Sequence, residues 1–253
     1  MENSEVKHQK IDVKPDFGPI FLGIIIFSAT FILSAYLVSN AILNLRSDRT
    51  ITVRGLAEMD ITSDFATWTA TFFTTAPTLA EGHTRMVALK KRIENYLIEN
   101  GFSKDSIEFQ TLGSHEHIEF MRDGSSRSRG QRFHQNFTIN SHDVYKIRDI
   151  SQKITELMSE GIEINSWQPQ YSYTGLNDLR IIMLSEATKD AKARAEEMAK
   201  SSGNKIGSIL SASQGVFQIT AVNSNEIADY GINDRSSIEK TMQSVVTVRY
   251  AVK

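Results

Sequence analysis

At 253 residues, 40% hydrophobic and 23% charged, the chain has a globular composition with length for one large domain or two small ones. A net charge of -2 and a sequence pI near 6.3 leave no global basic field, which argues against nucleic acid as a partner. The lack of cysteine excludes disulfides, thiolate zinc sites, iron–sulfur clusters and cysteine nucleophiles together, and no cofactor is implied.

Residues 17–45 (FGPIFLGIIIFSATFILSAYLVSNAILNL) carry no charge, and roughly 20 apolar residues suffice to cross a bilayer core. They predict a transmembrane anchor, with a short cytoplasmic tail at 1–16 and the remaining domain at 46–253. The apolar block at 17–38 exceeds the about 15 residues of a signal-peptide core, which favours an uncleaved anchor. Ser39 and Ala41 form a small-x-small pair, so cleavage after Ala41 is the alternative. Lys7, Lys10 and Lys14 before the segment nearly balance Arg46, Arg49 and Arg54 after it. A lysine-bearing tail suits the cytoplasm, and a first hydrophobic segment usually carries the downstream chain across the membrane. The expected protein is therefore single-pass in the cell membrane, with 46–253 outside the cytoplasm.

Strand patterns at 50–57 and 64–75 open this region. A helix over 78–100 comes next, with Met86, Leu89, Ile93 and Leu97 at spacings of three and four, and Gly101 as its stop. The same pattern recurs over 144–160 with Ile147, Ile150, Ile154 and Leu157, behind Asp143 and before Gly161. A third helix, about 178–202, sets Ala187, Ala191, Ala195 and Ala199 four apart and stops at Gly203. Its small side chains let the helix backbone lie close to whatever it covers. Strands are predicted at 207–218 and 244–252, and 219–243 reads as a long loop. Interleaved helices and hairpins predict an α+β fold: an antiparallel or mixed β-sheet layer with about three helices packed on it.

Residues 110–120 and 131–140 read as two strands of a hairpin around the tip MRDGSSRSRG. Alternate side chains share a face, so Ile118 and Phe120 group together, as do Phe133, Phe137 and Ile139. Matching these apolar faces sets Ile118 opposite Phe133. His117 then faces His134, Glu119 faces Arg132 and His115 faces Asn136. His115, His117 and His134 on one surface form a candidate zinc or copper set, or a pH-responsive interface. The plainer reading is the solvent face of an amphipathic hairpin, with Glu119 and Arg132 as a cross-strand ion pair. HEHIE is not the metalloprotease motif H-E-x-x-H, because position 119 is glutamate.

Arg122, Arg127, Arg129 and Arg132 around the tip could catch anions or a partner's carboxylates. Asn136-Phe137-Thr138 matches a glycosylation sequon inside a strand. The aromatics of WQPQYSY (167–173) read as core. No G-x-S-x-G, P-loop or dinucleotide fingerprint is present, so no nucleophile can be named and a non-enzymatic role is expected.

The order of motifs resembles the SIMPL-domain family of bacterial envelope and secreted proteins, over about residues 50–253. The resemblance rests on ITVRGLAEM with its following Asp64, on LIENGF before IEFQTL, and on QNFTINSHDVYKIRDI. It rests also on the alanine-rich SEATKDAKARAEEMAKSSGNKIG and the closing SVVTVRYAV. Ala57 and Ser63 stand where family members often have glycine and proline. The resemblance implies an extracytoplasmic α+β domain that self-associates or binds an envelope partner, with a loose link to stress tolerance. It implies no established reaction and carries over no site residues.

Overall fold

The computed structural model describes residues 18–46, 49–122 and 124–253, so the tail expected at 1–16 lies outside them. Helix α1 (Gly18–Arg46) carries the apolar segment, of which Phe21–Asn40 is long and apolar enough to cross a membrane. None of that stretch is buried against the rest of the protein.

Among the described residues ten strands come after it, in two antiparallel sheets. The first holds β1 (Thr50–Thr62), β8 (Ile206–Gln214), β9 (Gln218–Ala221) and β10 (Glu239–Val252), with β10 central between β1 on one side and β8 and β9 on the other. The second is built on the long pair β2 (Phe65–Ala76) and β5 (Ser126–Ser141). β3 (Ile107–Phe109) and β4 (Gly113–Phe120) pair with β5, and β6 (Glu163–Ser166) and β7 (Gln170–Ser172) pair with β2. The chain passes from β1 to β2, and so from one sheet to the other, across Ser63 and Asp64. The expected layer of antiparallel strands is thus present, divided in two.

The helices fall close to their sequence patterns because caps fix their ends. The Thr78 hydroxyl accepts from the Glu81 N–H at 3.3 Å to start α2 (Leu79–Glu99). The Asp143 carboxylate does the same for Lys146 N–H at 3.0 Å at the head of α3 (Val144–Lys153), which a 3₁₀ segment (Ile154–Glu160) prolongs. Met86, Ile93 and Leu97 of α2 and Ile147, Ile150, Ile154 and Leu157 bury the predicted stripes against the second sheet. There they meet Trp68, Phe72, Phe137 and Ile139 in one core. Trp68 and Phe137 meet edge to face at 5.4 Å, a favoured aromatic geometry.

Helix α4 (Leu176–Ser201) covers the first sheet and makes a separate core with Val53, Met242, Val246, Val248 and Tyr250. Its alanines at 187, 191, 195 and 199 are all buried. The reason for small residues is visible at Gly55 of β1. A Cβ there would lie 2.0 Å from the Ala187 carbonyl oxygen and 2.6 Å from the Ala191 nitrogen, so helix and strand touch backbone to backbone. Beside this contact the Asp190 carboxylate accepts the Leu56 N–H at 2.8 Å. That N–H belongs to the edge strand β1, so the helix also satisfies a donor that the sheet leaves open. The bond to Leu56, with Arg194 adding to it against a smaller opposing effect of burial, holds the Asp190 carboxyl below its ordinary range.

Several predicted strand boundaries shift. β1 runs on to Thr62, β5 begins at Ser126, the strand expected over 207–218 breaks after Gln214, and the stretch expected as loop over 219–243 contains most of β9 and the start of β10. There the alternation begins with Glu239 and Lys240, which hid a strand whose inward face includes Lys240 and Met242.

Gly55→Ala is expected to lower stability by about 3 kcal/mol, since backbone atoms cannot yield as a side chain can. Chemical unfolding of the 46–253 fragment measures this, and Ala57→Gly, without such a clash, serves as the comparison.

Candidate functional site

β4 and β5 form the expected hairpin, but in another register. Ser114 lies opposite Phe133, Gly113 opposite His134 and His115 opposite Arg132. The alignment is set from inside the core by β3, whose Ile107 and Phe109 pair with Ile139 and Phe137. β4 carries it outward. The apolar partners sought in Ile118 and Phe120 are thus supplied by Ile107 and Phe109. Ile118 and Phe120 project past the core, Phe120 at 80% exposure.

The predicted pairing of His117 with His134 does not form. His115 and His134 are neighbours instead, with ring centroids 5.9 Å apart and planes at 50°. The His134 ring lies over Gly113, where a Cβ would come within 2.5 Å of it, so glycine at the head of GSHEHIEF makes room for the imidazole. His117 falls at an irregularity between Glu116 and Ile118, and its Nδ1 is buried with no hydrogen-bond partner. Among the described residues no group of three or more histidine, aspartate or glutamate side chains is placed to hold a metal ion.

The ion pairs move with the register. Glu119 pairs with Arg129 at 2.5 Å rather than with Arg132, and that bond keeps its carboxyl below the ordinary range. Arg132 pairs with Glu163 and lies over the Phe73 ring at 4.9 Å. The sequon amide is engaged: Asn136 accepts from the Thr71 hydroxyl at 2.7 Å and donates to Gln110 at 3.1 Å. Of the WQPQYSY aromatics, Tyr171 is buried as expected, whereas Trp167 is largely exposed.

Sequence reading gave no signal for a second place of interest, the seam between the two sheets. Ser63 N–H donates to the Ile238 carbonyl at 2.9 Å, and Asp64 N–H to that of Ser172 at 3.1 Å. The Asp64 carboxylate accepts both the Thr174 N–H at 2.7 Å and the Thr174 hydroxyl at 2.6 Å. His142 Nδ1 bonds the Asp64 carbonyl at 2.8 Å, which fixes the proton on that nitrogen. Glu239 accepts from the Thr62 and Tyr145 hydroxyls, each at 2.7 Å, and these bonds hold its carboxyl below the ordinary range.

At the centre of the seam lies Lys240. Only 2% exposed, it reaches from β10 of the first sheet to donate to the Tyr171 carbonyl of the second, at 2.7 Å. Burial lowers its pKa, and the nearby Asp234 carboxylate opposes that shift. A cleft of about 540 Å³ opens beside it, lined by residues including Tyr145, Arg148, Tyr171, Ser236 and Glu239. The lysine is not among the lining residues, so its amine acts on the protein's own backbone.

A family model named SIMPL, described as a protein of unknown function (DUF541), matches residues 51–250. The chain belongs to the SIMPL family. No curated protein matches it. Within this SIMPL domain, the opening strand and the alanine-rich helix are partners in space, because Gly55 meets the alanine face of α4. Asp64, which comes after that strand, is held by Thr174. Ser63 donates to the Ile238 carbonyl through an N–H that proline would lack.

Lys240→Ala is expected to cost about 3 kcal/mol, from a cavity and an orphaned carbonyl, and Lys240→Met about 1 kcal/mol. The lowered pKa also sets a sign. Folding favours the neutral amine, so the penalty is full below the folded pKa and fades as pH climbs toward the unfolded value near about 10.4. Urea unfolding at rising pH should therefore show wild type gaining on Lys240→Met in the alkaline range.

Proposed function

We propose that this SIMPL protein is held in the inner membrane by α1, with residues 46–253 outside the cytoplasm, and acts there without catalysing a reaction. It assembles with itself or with an envelope partner, in a role tied to stress tolerance. The observation that carries this reading is α1: an apolar helix of spanning length, with no residue of Phe21–Asn40 buried by the rest of the chain, suits a lipid bilayer. The seam supports it too, since the most deeply buried lysine serves cohesion between sheets instead of facing a cleft.

Membrane fractionation with a periplasm-dependent reporter fused after Lys253 is expected to give an active, membrane-bound fusion that resists alkaline extraction. An inactive reporter would reverse the orientation, and a carbonate-soluble protein would remove the anchor.

One observation favours a second role on the same domain. His115 and His134 lie ring beside ring, so the hairpin offers two imidazoles for a metal- or pH-responsive module. Zinc titration by calorimetry is expected to show binding that His134→Ala lowers at least tenfold. Equal binding by both proteins would exclude these histidines.

A further inference from the structure

We infer that β8 is where two copies of this chain join, residues 206–214 pairing antiparallel with the same residues of a second copy about a two-fold axis at Leu210. This deepens the assembly reading above and rests on it. The starting point is how the protein treats its other sheet edges. β1 carries Arg54, Glu58 and Asp60, and its Leu56 N–H is taken by Asp190 of α4. Beside β9, Ile219 donates to the Ile232 carbonyl and accepts from Asp234 N–H, so the 228–234 segment covers that edge. β4 carries Glu116 and Glu119, and β6 and β7 are only four and three residues long. Charge, cover and brevity are the usual means of blunting an edge.

β8 has neither charge nor cover. Its sequence IGSILSASQ holds no charged residue and no proline, and seven of its nine residues are exposed. Ile209 and Leu210 stand out among them. Among the described strands it pairs with β10 alone. Its open groups can be named. At one end the Gly215 N–H turns inward to the Val245 carbonyl, and at the other Lys205 exchanges both bonds with Lys253. In an antiparallel ladder inward and outward residues alternate, so Gln214 and Ala212 turn their N–H and C=O groups outward at one end and Ile206 at the other. Two register shifts against β10, one at Leu210 and one between Ile206 and Ile209, bend the strand but leave these groups unpaired.

The strand that fits such an edge is another strand, and β8 reversed fits it without conflict. Centred on Leu210, Ile206 faces the second copy's Gln214, and Ala212 faces the second copy's Ser208. Lys205 faces the second copy's Gly215, so no like charges oppose each other. The contact is isologous, as a closed dimer requires. An anchor that confines copies to one membrane raises their encounter rate at no structural cost.

The natural absence of cysteine gives a direct test on the full chain in membranes. Leu210→Cys is expected to form a disulfide-linked species of twice 28.4 kDa on mild oxidation, because facing Cα atoms about 5.5 Å apart suit a disulfide. Ser159→Cys, exposed elsewhere, stays monomeric. Ala212→Pro removes one outward N–H and leaves the β10 ladder whole, and should cut amine-crosslinked dimer at least tenfold with circular dichroism unchanged. A linked band of another mass would replace the second copy by a different protein. Wild type that crosslinks to itself while Leu210→Cys forms no disulfide would move the interface off β8 and spare the assembly reading. Wild type that stays monomeric under amine crosslinking would sink both.

Discussion

The fold turns on the bond from Lys240 to the Tyr171 carbonyl. Each sheet has its own helices and its own apolar core, and the two clusters are distinct. Without a shared core, hydrophobic burial in each half says little about how the halves meet. Polar groups define that relation: Lys240 in the middle, Asp64 with Thr174, and Glu239 with Thr62 and Tyr145 around it. Hydrogen bonds have direction, so they can fix an angle between sheets as a greasy contact could not. A buried cation is an expensive way to do this, and its lowered pKa registers that cost.

Local pattern made much of the architecture legible before any coordinates. Helix stripes, caps and glycine stops all act over a turn or two, and α2, α3 and α4 begin and end close to where those signals lie. The alanines of α4 announced a close approach, although only the structure shows Gly55 as the surface approached. The hidden parts depend on distant partners. The register of β4 is dictated by Ile107 and Phe109, outside the pair of segments that had been matched. The strand at Glu239 and Lys240 looked like loop because its inward residue is a lysine, a choice that makes sense only once Tyr171 stands opposite. The histidines were read as one face, and an irregularity at His117 broke that face.

The two sheet ends treat solvent differently. At the β4–β5 tip, ion pairs and an irregular ladder guard the hairpin, even though Phe120 stands out in water. Along β8 the ladder is irregular too, but the strand holds no charged residue, and its outer edge bears backbone donors and acceptors instead. In the same sheet Asp190 closes the opposite edge with one carboxylate. Edge protection is therefore selective in this molecule, and the difference separates surfaces kept solitary from one left open to company.

The ladder between β1 and β10 runs unbroken from Thr50 opposite Ala251 to Thr62 opposite Glu239. β1 lies just after α1 in the chain, and Val252 N–H bonds the Arg49 carbonyl where the strand begins. Tension arriving through α1 thus meets the sheet beside the far end of β10. Pulled apart there, the two strands would unzip one rung at a time. Pulled instead against the second sheet, across Ser63 and Asp64, the same rungs would resist together in shear. Load along the line from α1 to the second sheet thus falls on every rung at once, and load between Thr50 and Ala251 falls on one rung after another.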